Sequence, residues 1–512
     1  MAIPIDYERS AFFERRFRPG ALASSSQTRA AAFVFAIVTA ALIAPKFLHT
    51  LLPLLFIFIY LDSSLYRRSL LDPRRRGWDA CTIAFAVLGS YAFVRAASAP
   101  DAPRALAIVA AFACISAMTL QIVRRTAEID ERQRAGLNSA VVAAAFTGSI
   151  YLVVEFATGL AVVSKAVIAA PVLAGGNPMH FKYHDGAIET VRTYVLNRNV
   201  GVLNLVLWPA LLIAASNARR PMTGAGAGTA LALFTIAAIA TFSSWHESSK
   251  VALLAAAVIF LASRFSTRLG RALVAAGWIG ANLGALVAAE AAYDHGLQLN
   301  AMIPGSARAR VVIWNYTARH VRDDIVFGKG VDSVRFNDKL EGPHAVRLPG
   351  ELSDQRPGHH SHNVYLQIWY ELGAAGVVLF ALAGLAILQR LRRLEDAAQP
   401  FALAAFTSAA TIAAFSWGLW QLWFFAGVCL GAILLTLASA PFQRREARRV
   451  PSAQPAVVVA RDCPRHFAMN AAHPCTRGAA ENTDAETAHV MRADRRRRDR
   501  RPRASSESRV RA

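Results

Sequence analysis

Cysteine is scarce in this chain, and acidic residues are outnumbered. Five cysteines in 512 residues give no disulfide framework. Cys81, Cys114 and Cys429 fall inside apolar stretches and read as small packing residues. Cys463 and Cys475 flank His466 and His473 with loosely zinc-like spacing, but without the folded flanks that structural zinc sites carry, so they read as a chance cluster. Asp and Glu number 34 against 56 Lys and Arg, a net charge of +22. The excess sits largely in connections between apolar segments and in the C-terminal tail, where basic residues attract anionic lipid headgroups. Membrane lipids, not nucleic acid, are the partners this implies. No small-residue cleavage site follows the first apolar core, which therefore reads as an uncleaved signal anchor.

What the chain has is apolar length. Hydrophobic side chains make up 54% of it, more than a soluble domain carries. A helix needs about 20 mostly apolar residues to cross the hydrocarbon core. Twelve segments qualify: 30–45, 47–61, 79–97, 105–123, 138–163, 199–216, 225–243, 249–263, 271–292, 364–388, 400–416 and 420–440. The first two are short enough to form a re-entrant pair instead. This predicts an all-α polytopic membrane protein with a short arm (1–29), a transmembrane domain (30–440) and a basic tail (441–512). The tail, with Arg495 to Arg498 in one run, lacks any apolar period and reads as disordered.

Arginine sets the orientation. Alternate connections carry Arg67 and Arg74, Arg124 and Arg132, Arg219 and Arg220, Arg264 and Arg268, Arg390 and Arg393, and the tail opens with Arg444. The arm and the tail are therefore expected in the cytoplasm. A connection at 164–198 and a long loop at 293–363 are expected outside. That loop holds six of the 13 histidines and nearly balances nine Lys and Arg against eight Asp and Glu. It ends in His359-His360-Ser361-His362-Asn363, a histidine cluster that a plain linker does not need.

Several motifs lie at the outer edge. If helix starts near His362, then Asn363, Gln367 and Glu371 share one face, and such a polar stripe must face a cavity or partner helices. Gly373 and Gly376, one turn apart, would let a neighbouring helix approach. The bland alternative is a capped helix with a small-residue packing face. Upstream, Arg310 and Trp314 lie one helical turn apart, and Gly328-Lys329-Gly330 would form a turn. Arg310 either offers phosphate oxygens a planar fork of donors or pairs with Asp323 or Asp324. Asn197-Arg198-Asn199 and Ser248-Ser249-Lys250 place cations at the same edge, either as binding groups or as interfacial anchors. Glu155 and Glu290 lie within spans and rank below these cations as candidates. Asp323-Asp324 alone makes no metal site.

The His362-Asn363-x9-Gly373-x-x-Gly376 pattern, Arg310 with Ile313-Trp314, and the Gly328-Lys329-Gly330 turn resemble the O-antigen ligase and polymerase superfamily of bacterial membrane glycosyltransferases. Arg198 and Lys250 fit the same pattern. The motifs span about 190–376. Family members often carry proline before the glycine turn, where Val326 and Phe327 stand here. The resemblance implies a C-type glycosyltransferase fold in the bacterial inner membrane, an active site in the periplasmic loop, and metal-independent chemistry without a cofactor. It implies a glycan donor on undecaprenyl pyrophosphate and a lipid A-core or polysaccharide acceptor. His362 would be the base, Arg310 with Arg198 and Lys250 would hold the pyrophosphate, Asn363 and Gln367 would contact substrate, and the four glycines would be structural. A polymerase extending carrier-linked glycan and a solute transporter are the alternatives. No internal repeat of the kind many transporters show is visible.

Overall fold

A computed structural model describes residues 19–61, 79–126, 129, 131–170, 181–184, 187–216, 224–336 and 360–442. The arm before residue 19, the tail after 442 and His359 lie outside the described residues, with the expectations placed on them. Long charge-poor stretches fold as helices because only internal hydrogen bonding satisfies a backbone in hydrocarbon. In chain order they are α1 (Pro19–Ile43), α2 (Leu48–Leu61), α3 (Ala80–Ala97), α4 (Ala102–Thr126), α5 (Glu131–Ala157), α6 (Ala161–Ala169), α7 (Asn197–Ser216), α8 (Gly224–Ser243), α9 (Glu247–Phe265), α10 (Thr267–Asp294), α11 (Gly305–Val321), α12 (Val364–Leu391), α13 (Gln399–Phe415) and α14 (Leu422–Ser439). The protein is an all-α polytopic membrane protein; among the described residues the strands are those of a small antiparallel hairpin, β1 (Phe181–His184) and β2 (Ala187–Val191), in the connection before α7.

Among the described residues nine helices are long and apolar enough to cross a bilayer, or ten if the bent pair α1–α2 counts as one. The expectation of twelve differs at two places. The first two segments meet at 118° across the Pro45 turn, and α13 is a shorter apolar helix. The Asn199 amide holds that corner, donating to Leu42 O at 2.8 Å and Ile43 O at 2.7 Å. Helix α7 is the axis of the bundle. Every residue from Asn199 to Ala215 is buried, as expected of a helix apolar all round, and α5, α8, α13 and α14 pack around it. Elsewhere large apolar side chains face outward, among them Leu231, Val258 and Val287, the surface a membrane would cover.

Helix α12 is broken, and the break positions the site. Gly373 has φ 63° and ψ −170°, a region essentially reserved for glycine. The interruption frees backbone groups in a buried place, where each must find a partner. The Gly328-Lys329-Gly330 turn supplies several. Lys329 N donates to Tyr370 O and Gly330 N to Glu371 O, both at 2.9 Å, while Ala374 N and Ala375 N donate to Ile325 O and Val326 O at 2.8 and 3.2 Å. From α3, the Tyr91 hydroxyl donates to Leu372 O at 2.8 Å and Arg95 to Gly328 O at 2.6 Å. A methyl group on Gly373 would lie 2.4 Å from Val326 O, and one on Gly328 would lie 2.4 Å from the Glu371 carbonyl carbon. The glycine turn thus splints the broken helix. The expectation that Gly373 and Gly376 form a helix-approach face is corrected: a Cβ at Gly376 would meet Leu372 of its own helix.

Candidate functional site

The sequence candidates gather at one end of the bundle: the starts of α7, α9 and α12, the α11 segment that follows α10, and the turn between α13 and α14. His362 stands just before α12 with φ 55°, an uncommon conformation for a side-chain-bearing residue. Helix begins at Val364 because Asn363 is its N-cap. The Asn363 Oδ1 accepts from Tyr365 N at 3.0 Å and Leu366 N at 3.1 Å. His360, whose ring packs edge-on against His362 with centroids 4.1 Å apart, accepts the His362 backbone N–H at Nδ1, 3.3 Å away. It therefore supports the backbone of His362.

The His362 ring is oriented by a backbone carbonyl. Its Nδ1 lies 2.7 Å from Ser416 O, and a carbonyl only accepts, so Nδ1 carries the hydrogen and Nε2 keeps its lone pair. Burial, with the positive charge of Arg310 beside it, lowers the His362 pKa to about 4, against a smaller upward pull from the Ser416 carbonyl. The ring is neutral near pH 7, with one nitrogen ready to accept a proton.

Arg310, on the inner face of α11, has no ion pair among the described residues. Its Nη1 reaches Ser248 Oγ at 3.4 Å, and burial lowers its pKa. The alternative pairing with Asp323 or Asp324 does not form: no ion pair joins Arg310 to either, and Asp323 takes Lys329 at 2.8 Å, which holds the Asp323 pKa down. Glu247 is the carboxylate whose charge acts on Arg310, but the two make no direct ion pair among the described residues. The half-buried guanidinium is thus a ready receptor for an anion.

A second histidine joins the group. His246 is buried, with Nδ1 at 2.6 Å from Ser249 Oγ and Nε2 at 2.7 Å from Ser416 Oγ. It stacks on Trp417 with ring centroids 4.8 Å apart. Burial and the nearby Arg310 lower its pKa to about 3. Trp417 in turn meets Trp423 at 4.6 Å, and the Arg198 guanidinium lies 5.5 Å from the Trp423 ring centroid. Among the described residues, the buried Arg198 Nε, Asn197 Oδ1 and Gln421 Oε1 atoms have no hydrogen-bond partner. Arg198 therefore joins the cluster through a pair of indoles.

Other candidates have partners within the chain. Gln367 is buried, donating to Glu371 at 3.1 Å and accepting Leu419 N at 2.8 Å. Glu371 also accepts from the Trp420 indole and from Val334 N. The polar stripe of α12 thus faces partner segments: the expectation of substrate contact by Gln367 is corrected to packing, while Asn363 uses its Oδ1 to cap α12. Lys250 pairs with Glu247 at 2.9 Å. Glu290 pairs with Arg322, and Glu155 accepts Val163 N in the first turn of α6 at 2.9 Å. Sequence reasoning missed Ser416 and Trp417. The one local signal was the cluster Trp417, Trp420 and Trp423 interrupting two apolar segments. A cavity of about 640 Å³ lies elsewhere, at the far end of α9 around Ser263, Arg264, Thr267 and Arg268.

The sequence is similar to known proteins over its middle part. Residues 205–381 match the sequence profile of the O-antigen ligase family, a segment that contains His246, Arg310, the glycine turn and His362 but neither Arg198 nor Ser416. A Rickettsia conorii protein with the provisional name polysaccharide ligase is 26% identical over 250 residues, 48% of this chain and 59% of that protein. Proteins of the same provisional name from Rickettsia felis and Rickettsia bellii are 24% and 23% identical over the same lengths. The chain thus spans 59% of the length of these relatives. The similarity to the O-antigen ligase family therefore covers the middle of the chain, residues 205–381, and includes the break in α12 and the His362 and Arg310 positions beside it.

Proposed function

We propose that the protein transfers a glycan from an undecaprenyl pyrophosphate carrier to an acceptor hydroxyl, with lipid A-core or a similar glycolipid as acceptor. The observation that carries this reading is the pairing of a neutral His362, its Nε2 left as acceptor, with the half-buried Arg310 that lacks an ion pair among the described residues. In the transfer step the acceptor hydroxyl gives its proton to His362 Nε2 as its oxygen attacks the anomeric carbon. The bond from that carbon to the pyrophosphate oxygen breaks, and the electron pair leaves with the pyrophosphate. Direct displacement inverts the anomeric centre. The leaving group is already a weak base, so positive charge from Arg310, and from Arg198 across the indoles, assists more than a general acid would. A bound pyrophosphate would also offset the Arg310 charge that depresses the His362 base.

The same reading sets the site on the periplasmic face of the inner membrane. Arg124, Arg132, Arg264, Arg268, Arg390 and Arg393 lie at the helix ends opposite the site, as the positive-inside rule would have it. At about 1.5 Å rise per residue, the 19 residues of α9 separate the two ends by roughly 28 Å, about the thickness of the hydrocarbon core. The test is gel analysis of surface polysaccharide in a deletion strain. Loss of capped core with accumulation of carrier-linked polymer is expected. Capping with single repeats would mean a polymerase, and an unchanged pattern would refute glycan transfer.

A further inference from the structure

We infer that Ser416 and His246 are positioning residues for the His362 base, an inference that rests on the transfer reading above. Neither was singled out as a site residue by the sequence, and Ser416 lies outside the segment that matches the family.

Ser416 faces both histidines at once. Its carbonyl takes the Nδ1 hydrogen of His362 at 2.7 Å, and its hydroxyl bonds His246 Nε2 at 2.7 Å. His246 is itself fixed from the other side by the Ser249 hydroxyl and from above by Trp417. Ser248, next in the same turn, donates to Phe415 O at 2.8 Å. The start of α9 is therefore pinned to the end of α13 at two points, His246 to Ser416 and Ser248 to Phe415, and the product of that pinning is the direction of one carbonyl.

That direction matters for proton transfer. While the carbonyl holds Nδ1–H, Nε2 is an acceptor. If the carbonyl turns away by about 1 Å, the hydrogen bond is lost and the ring can take the other tautomer, whose Nε2 carries hydrogen and cannot receive the acceptor's proton. The carbonyl also stabilises the imidazolium that forms when Nε2 is protonated, a part that a carboxylate plays in Ser-His-Asp sites. Packing alone would not select this arrangement. A phenyl ring could fill the His246 position against Trp417, and burying an imidazole with two hydroxyls costs desolvation that only their mutual bonds offset.

The experiment uses the full chain in proteoliposomes, with undecaprenyl-pyrophosphate-linked glycan as donor and purified lipid A-core as acceptor. Ser416→Ala and His246→Phe should lower kcat with donor KM nearly unchanged. The fall should be roughly 10–100-fold, the range that orienting partners of metal-bound imidazoles command. Ser416→Thr, which restores the hydroxyl, should recover most of the rate. His362→Ala is run beside them. If it transfers at the normal rate, the base assignment itself fails. If it is inactive while Ser416→Ala and His246→Phe match the parent, the positioning inference fails alone. A rate loss in Ser416→Ala that Ser416→Thr does not recover, or one that appears as raised KM, also overturns it.

Discussion

Replacing Gly373 with alanine should cost the protein much of its stability, and the structure shows why. At φ 63° and ψ −170° a side chain adds strain of about 1–3 kcal/mol. The new methyl carbon would stand 2.4 Å from Val326 O and 2.6 Å from Gly328 N, well inside ordinary contact. Both neighbours are backbone, so relief requires the glycine turn to retreat. That movement breaks hydrogen bonds flanking the contact, such as Ala375 N to Val326 O and Lys329 N to Tyr370 O. Each buried group left unpaired costs about 1–3 kcal/mol. Strain plus two such losses gives about 3–9 kcal/mol, against a net stability of about 5–15 kcal/mol for a typical domain. Membrane abundance and the thermal midpoint of detergent-solubilised protein report this directly. Gly280→Ala is the control, because it lies within α10 with nothing within 4 Å of its new methyl and should be neutral or slightly stabilising. Normal abundance and an unshifted midpoint for Gly373→Ala would refute the splint.

Further outcomes follow from the site. Arg310→Lys keeps the charge but loses the bidentate fork, so transfer should fall at least tenfold with donor KM raised; parent-like kinetics would remove the phosphate clamp. The His362 base works when neutral, so activity should fall as pH drops through its pKa, which is about 4 in the free protein. The acid limb of kcat/KM should therefore lie below that of kcat, because bound pyrophosphate favours the imidazolium and raises its pKa in the complex; coincident limbs would contradict this. Met302, 92% exposed beside α11, should react as Met302→Cys with an impermeant maleimide in periplasm-accessible cells, in a background without native cysteines. Labelling only after the inner membrane is lysed would reverse the topology.

Much of the fold was legible because an apolar run long enough to cross a bilayer has few other uses. The clustering of His362 with Arg310 was legible in part, since both close outer segments of one loop and Arg310 and Trp314 share a helical face. The corrections have physical causes. A Gly-x-x-Gly pair looks the same whether it admits a neighbouring helix or breaks its own, and only the matching glycine turn at 328–330 decides between them. Asn363 and Gln367 read as a polar stripe, but a stripe does not say whether substrate or backbone will occupy it; here Tyr365 N, Leu366 N and Leu419 N do. Ser416 was invisible because it sits 54 residues from His362 between two apolar segments, and it acts through a carbonyl that every residue possesses. The bent pair α1–α2 was ambiguous because the two apolar segments within it, 30–45 and 47–61, are each shorter than a span of about 20 residues.

The central claim is that His362 moves the proton while Arg310 and its neighbours hold the donor. The most direct measurement compares donor binding with glycan transfer for His362→Ala at equal membrane abundance. Binding of the carrier-linked donor should remain within a few-fold of the parent, while transfer falls by about 10²–10⁴, the usual cost of losing a general base. Transfer at the parent rate, or loss of donor binding in step with turnover, would contradict the account.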